Sequence, residues 1–336
     1  MSGQLHSTTT SDPTGTTPQD AHSGGLMGRA RGVLRRARTQ VDSLARRAEP
    51  RCAPRTIVIT GASSGIGAEA ARILSGRGHR LILVGRDPEK TARIAAELSV
   101  PGLVADYADL ESIPRLAAEI AQLTDRIDVL CNNAGGIFAD RELSTNQLPM
   151  AYQVNFLAGW LLTEWLRPQL SRGLGLVVNT ASIAARMFSD LDQDDIQGLR
   201  ADSQAAYGNG KLLNILHAQE LSRRLAAEGI FGVSFHPGVI ASQFAHTTTN
   251  PLRRLYDNPV AHRVMTSPAV GGRRLAFLAE STVGVDVMPG QYSHHTRRTT
   301  PPDQATSPEM WEAVRAQAQA DVQALLPQGW TLQGRA

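Results

Sequence analysis

Two cysteines in 336 residues, Cys52 and Cys131, cannot build a disulfide framework, and no Cys-x-x-Cys pair offers a metal site. So few cysteines suit a reducing compartment. A run of about 18 apolar residues, the length a membrane-spanning helix needs, is also missing. Residues 1–20 are rich in Thr, Ser, Gly and Pro and lack the apolar core of a secretory signal. A cytoplasmic location is therefore expected. Charge of one sign is not in strong excess. The formal net charge is +3, and the sequence pI near 9.1 reflects a small surplus of arginine, so no nucleic-acid partner is expected. Internal repeats are lacking, and no polar linker interrupts residues 55–295, which points to one domain there.

What is present is the composition of a globular chain, 42% hydrophobic and 19% charged. Residues 1 to about 25 have almost no apolar content and are expected to be disordered. In residues 26–48, Leu26, Val33, Leu34, Val41 and Leu44 recur near helical spacing among arginines such as Arg29, Arg31, Arg35 and Arg36. Two readings are open: a basic amphipathic helix resting weakly on an anionic membrane surface or a partner, or a solvated extension. Translation from Met27 would remove the residues before it.

From Arg55 onward, short β-branched runs alternate with helical patterns. Strands are expected at Thr56–Thr60, Leu81–Val84, Leu103–Val104, Ile127–Leu130, Leu176–Asn179 and Gly232–Phe235. Helices are expected between them, including long ones at roughly 148–170 and 205–228. Asp87-Pro88 is a helix start, with a capping carboxylate and Pro at the first helical position. Ser307-Pro308 opens a terminal helix whose Trp311, Val314, Val322 and Leu325 offer an apolar face. Alternation of this kind predicts an α/β fold: a single doubly wound parallel sheet with helices on both faces.

The turn after the first strand reads Thr60-Gly61-Ala62-Ser63-Ser64-Gly65-Ile66-Gly67. Glycines there let the backbone approach a pyrophosphate, and the following helix N-terminus offers unpaired N–H groups. The second strand ends in Val84-Gly85-Arg86, where an acid would favour a free ribose hydroxyl and an arginine a 2′-phosphate. With Asp87 read as a helix cap, Arg86 points to NADP(H), with NAD(H) less favoured. Tyr207 and Lys211 stand at i and i+4, on one face of a helix. A nearby ammonium lowers the pKa of a phenol that otherwise sits near 10, so the spacing suits proton transfer.

Together these motifs resemble the short-chain dehydrogenase/reductase family over about residues 55–292, and the G-x-x-x-G-x-G spacing disfavours its extended branch. The resemblance implies a Rossmann-type domain at 51–295, with a substrate lid at about 238–268, between an N-terminal extension (1–50) and a C-terminal tail (296–336). It implies a catalytic set of Asn155, Ser182, Tyr207 and Lys211. Tyr207 would exchange the proton, Ser182 would hold the substrate oxygen, Lys211 would tune Tyr207 and bind the nicotinamide ribose, and Asn155 would support Lys211 and a relay water. It further assigns Asp106 to the adenine, Asn133, Ala134 and Gly135 of Asn-Asn-Ala-Gly to the strand end beside the cofactor, Pro237-Gly238 to the nicotinamide turn and Ser242 to the carboxamide.

Twenty-five positions separate Ser182 from Tyr207. The extra segment, with Gly290-Gln291-Tyr292, resembles the retinol dehydrogenase, WW-domain oxidoreductase and daunorubicin ketoreductase-like branch. That branch implies a small lipophilic aldehyde, ketone or alcohol as substrate, and the family implies a homo-oligomer. The acidic insert Asp190–Gly198 reads as a solvated flap, and His294-His295 as loop surface, so no metal is expected. Gly208 and Gly210 depart from helix preference, each at roughly 1 kcal/mol against Ala, and call for close packing. The competing reading is a catalytically silent NADP(H)-binding sensor or scaffold.

Overall fold

The computed structural model describes residues 52–239 and 266–326. The extension 1–50 with its 26–48 segment, Ser242 and most of the expected lid lie outside the described residues. The first half of the domain runs β1 (Thr56–Thr60), α1 (Gly65–Gly76), β2 (Arg80–Gly85), α2 (Pro88–Leu98), β3 (Gly102–Val104), α3 (Ser112–Leu123) and β4 (Val129–Asn132). After β4 come α4 (Met150–Tyr152), a π-helical turn (Gln153–Leu157), α5 (Ala158–Trp165) and α6 (Arg167–Gly173). The rest is β5 (Leu176–Thr180), α7 (Ala184–Met187), α8 (Ser203–Arg224), β6 (Phe231–His236), α9 (Pro268–Ala279), β7 (Tyr292–His294), β8 (Arg297–Arg298) and α10 (Pro308–Leu325).

Among the described residues the strands form one sheet in the order β3-β2-β1-β4-β5-β6-β7-β8. All pairings are parallel except the last, in which β8 turns back antiparallel on β7. Every residue of β1, β4 and β5 is buried, as a strand covered on both faces requires. Alternate side chains divide between two cores. Val58, Leu130 and Val177 face α3, α5, α8 and α10, whereas Ile57, Ile59, Cys131 and Val178 face α1 and α9. The strand order reverses direction between β1 and β4, and there the C-terminal strand ends open a crevice.

Caps fix several boundaries. Asp87 accepts from the Lys90 N–H at 2.9 Å, and Pro88 is the first residue of α2. Asp202 accepts from the Gln204 and Ala205 N–H groups, so α8 starts two residues ahead of the expected Ala205. It ends at Arg224, short of the expected 228, where a 3-10 turn and Gly229 take over. The expected helix from 148 to 170 is broken twice: by the π turn, and at Leu166, ahead of Pro168, which lacks an N–H to continue the ladder.

Candidate active site

The phosphate-binding turn follows β1, and the Asn132–Gly135 turn follows β4, its sheet neighbour at the switch point. The Thr60 hydroxyl joins them, accepting from the N–H groups of Asn133 (3.0 Å) and Ala134 (3.1 Å) and donating to the Cys131 carbonyl. The Asn133 side chain donates to the Thr60 carbonyl at 3.0 Å. Gly67 packs so closely on this turn that a Cβ would lie 2.4 Å from the Gly61 carbonyl oxygen. Ser64, at the N-cap of α1, makes no side-chain capping bond, and the first turn carries no acid. Ser63 and Ile66 are half-buried and Gly65 completes the turn.

Arg86 and Asp106 emerge at the ends of β2 and β3, which pair in register Gly85 with Val104. Both side chains are exposed. Asp106 accepts from the Ala108 N–H at 3.0 Å. Arg86 makes no hydrogen bond or ion pair with other described residues, whereas Asp87 is committed to the α2 cap and to Lys90.

Tyr207 and Lys211 lie on α8, both buried, with the Lys211 ammonium 5.7 Å from the Tyr207 ring centroid. Lys211 donates to the Thr180 carbonyl at 3.4 Å. A Cβ on Gly135 would meet Asn155 Oδ1 at 2.5 Å and Lys211 Nζ at 2.9 Å, so glycine lets the β4 turn, the π turn and α8 converge. Asn155 is clamped to the Gly136 backbone by two bonds, Gly136 N–H to Oδ1 (2.9 Å) and Nδ2 to the Gly136 carbonyl (3.0 Å). Ser182 follows β5, half-buried, and its hydroxyl accepts from the Ala184 N–H. Gly210 packs against the Ala151 carbonyl and Asn155, and Gly208 against the Phe188–Ser189 peptide, which supplies the close packing that their place in a helix requires. Pro237 is buried and Gly238 takes φ +100°, while Arg274 donates to the Pro237 carbonyl. The sequence-expected residues that are described therefore gather around one crevice, except Arg86 and Asp106, which stand at its far rim.

Three further residues belong to this arrangement. Asn214, at i+7 from Tyr207 and hence on its face of α8, donates to the Asn155 carbonyl at 2.9 Å and so holds the π turn. That spacing was readable in the sequence. His236 accepts at Nδ1 from the Ile183 N–H (3.1 Å) and the Gly238 N–H (3.4 Å), tying the Ser182 loop to the Pro237-Gly238 turn. Burial takes it down to about 3, so the ring stays neutral. Thr60 acts as described above. Neither of these last two has a local signal that shows its role, because the Asn133, Ala134 and Ile183 partners are far away in the chain.

Burial brings Lys211 down from 10.5 to about 8. Unfolded, the same side chain titrates near 10.5. Below pH 8 the folded state therefore keeps a desolvated charge, at a penalty of about 3 kcal/mol, which is relieved as pH rises from 8 towards 10.5. Without cofactor, the unfolding free energy should rise by about 2 kcal/mol more in the wild type than in Lys211→Met between pH 7 and pH 10. Parallel urea-denaturation curves across that range would show that the ammonium is not desolvated.

The family model described as short chain dehydrogenase matches residues 55–252. A protein of Streptomyces sp. (strain C5), named for daunorubicin C-13 ketoreductase activity, is 34% identical over 276 residues, which are 78% of this chain and 92% of that one. Human retinol dehydrogenase 13 is 30% identical, covering 79% of this chain and 83% of its own. A solved structure from Mycobacterium paratuberculosis, 28% identical, superposes with a TM-score of 0.63 over 84% of this chain and 98% of that one. The NADPH-bound carbonyl reductase from chicken fatty liver, 17% identical, shares the fold with a TM-score of 0.56 over 74% of this chain and 99% of its own. Sheet order, switch-point turns and these similarities agree: the chain belongs to the short-chain dehydrogenase/reductase family of oxidoreductases, in the branch of the daunorubicin ketoreductase-like and retinol dehydrogenase-like proteins.

Proposed function

We propose that this enzyme uses NADP(H) to interconvert a lipophilic aldehyde or ketone and its alcohol, with Tyr207 and Lys211 as the proton-transfer pair. The observation that carries the reading is the buried Lys211 ammonium beside the Tyr207 ring at the open end of the sheet. The turn suits a dinucleotide: a Cβ on Gly65 would point into open space, Gly67 and Gly135 let the neighbouring turns close up without side chains, and the α1 N-terminus is left without a side-chain cap. The turn from Gly61 to Gly67 would hold the pyrophosphate, Arg86 the 2′-phosphate, Asp106 the adenine, and Asn133–Gly135, Pro237, Gly238 and Ser242 the nicotinamide end. When bound, the nicotinamide supplies or takes up the hydride.

The chain's own part is to orient and to move a proton. In reduction, the Tyr207 hydroxyl donates its proton to the oxygen that gains charge, and the Ser182 hydroxyl stabilises that oxygen by a hydrogen bond. The Lys211 ammonium favours the phenolate left behind, because an opposite charge stabilises the ionised form. Asn155, held by Gly136 and Asn214, fixes the backbone beside Lys211. Ile137, Ala184 and the partly buried Phe188 pack around Tyr207, an apolar surround that suits a lipophilic substrate. The two relatives are named for daunorubicin, with its fused-ring aglycone, and for retinol, with its apolar polyene chain; both are bulky. The domain division at residues 50 and 295, a cytoplasmic location with peripheral membrane contact through 26–48, and assembly as a homo-oligomer belong to the same reading.

The test is to titrate NADPH and NADH separately against the purified chain, then follow nicotinamide oxidation with a panel of lipophilic aldehydes and ketones. Turnover with NADPH is expected. Tight NADPH binding without turnover on any member would favour the sensor reading.

A further inference from the structure

The acidic insert keeps Asp190, Asp192 and Asp194 in solvent, as a solvated flap would, but it is anchored to the core. Leu191 and Ile196 are buried, 3% and 4% exposed, in the core that also takes Val314, Ala318 and Val322 of α10. Three side chains hold the insert backbone or its end. Asn209, between Tyr207 and Lys211 in the chain, pairs with the Asp190 peptide like a second strand: its Oδ1 accepts from the Asp190 N–H (2.8 Å) and its Nδ2 donates to the Asp190 carbonyl (3.2 Å). From the tail, Gln304 repeats the pattern on the next residue, accepting from the Leu191 N–H (3.2 Å) and donating to the Leu191 carbonyl (2.9 Å). At the far end of the insert, Gln197 donates to Asp321 of α10 at 2.7 Å.

Asp321 is 7% exposed and fully engaged. Its carboxylate also accepts from the Tyr152 hydroxyl (2.8 Å) and from Gln317 (2.8 Å). Tyr152 adjoins the π turn that carries Asn155. A buried carboxylate with several donors holds its partners firmly, because breaking any one bond leaves charge poorly solvated. The tail thus grips both the insert and the element beneath Lys211.

Phe188 caps the end of α7 two residues before the insert, and it packs against Tyr207, Ile137 and Ala184. The Phe188–Ser189 peptide lies so close to α8 that a Cβ on Gly208 would approach it to 2.7 Å. Moving the insert therefore moves the apolar surface beside Tyr207. We infer that the C-terminal tail is a positioning element for the substrate side of the cleft, with Gln304 and Asp321 fixing the wall that begins at Phe188 and so setting selectivity for bulky over small carbonyl compounds. This rests on the proposed reading of Tyr207 as the reacting end of the cleft. A bulky ketone would use the ordered wall; a ketone of three or four carbons would meet little beyond Tyr207 and Ser182. Loosening the wall should then penalise only the bulky substrate.

The experiment uses the full chain, wild type and Gln304→Ala, with Gln197→Ala as a second variant that releases only the Asp321 end. Gln304 is half-buried, so its truncation leaves the core intact. Amide hydrogen exchange of residues 189–198 should quicken about thirtyfold in Gln304→Ala, the effect of losing both Gln304 hydrogen bonds to Leu191 at a locally opening segment, while residues 212–221 of α8 stay unchanged. The ratio of kcat/KM for a polycyclic aryl ketone to that for butanone should fall about tenfold, with NADPH affinity and kcat on butanone unchanged. Unchanged exchange in both variants, or equal loss on the two ketones, would overturn the proposal. If no ketone turns over in the wild type, the reaction reading fails, and the exchange rates still decide whether the tail holds the wall.

Discussion

Tyr207→Phe should lower kcat for carbonyl reduction by about 10²- to 10⁴-fold, the contribution of a positioned general acid. NADPH affinity should be nearly unchanged. The substitution removes one oxygen and keeps the ring, which is 9% exposed and packed by Ile137, Ala184 and Phe188, so the fold and the cradle survive it. The lost step is specific. A substrate oxygen gaining charge would then have only the Ser182 hydroxyl and water to turn to, and the phenol that the buried Lys211 ammonium tunes would be gone. In free-energy terms the change is about 3–5 kcal/mol in the barrier. Stopped-flow traces separate the hydride step from cofactor release. A variant that keeps more than a tenth of wild-type turnover in that step would remove Tyr207 from the mechanism.

Arg86→Asp should reverse the cofactor preference, with the NADPH to NADH affinity ratio swinging by about 10³. At the end of β2 one side chain is uncommitted to described residues and one is not. Asp87 caps α2, and its carboxyl is held below the usual range first by the Lys90 N–H and then by the Lys90 side chain. It is therefore turned to its own helix and not to a ribose. Arg86 is exposed beside it, with five donors suited to a phosphate. Reversing its charge removes charge-assisted bonds to a 2′-phosphate and adds repulsion, while giving a free 2′-hydroxyl an acceptor. Fluorescence titration of both cofactors against both proteins measures the swing. A wild type that prefers NADH, or a ratio untouched by the substitution, would place the discriminating group elsewhere.

The parts of this molecule that were legible in the sequence are those in which one short segment carries the whole reason. The β-branched run at Thr56–Thr60, the glycine turn behind it, the Asp87-Pro88 and Ser307-Pro308 helix starts and the i, i+4 spacing of Tyr207 and Lys211 all have local causes. What escaped depends on partners far away in the chain. Nothing near Gln153–Leu157 announces a π turn; it goes with the Asn155 contacts to Gly136 and Asn214, which only the fold supplies. The insert looked solvated because its acids dominate the reading, yet Leu191 and Ile196 alone are buried, and Asp192 and Asp195 pair with Arg200. Likewise nothing beside His236 in the chain shows that its Nδ1 accepts from the distant Ile183 N–H. The two helix glycines mark the difference well: the need for close packing was plain from their position, but the surfaces they approach were not.

The ends of the sheet have a consequence for self-association. A strand at the rim exposes unpaired peptide groups and invites another chain to add to it, the first step towards aggregation. Among the described residues the outermost strands are three residues at β3 and two at β8, and β8 consists of Arg297 and Arg298, both exposed. A second copy aligning there would meet two guanidinium groups with two more of its own, over a pairing too short to repay the ordering. The described sheet should therefore resist growth into a continuous one by addition at its β8 edge.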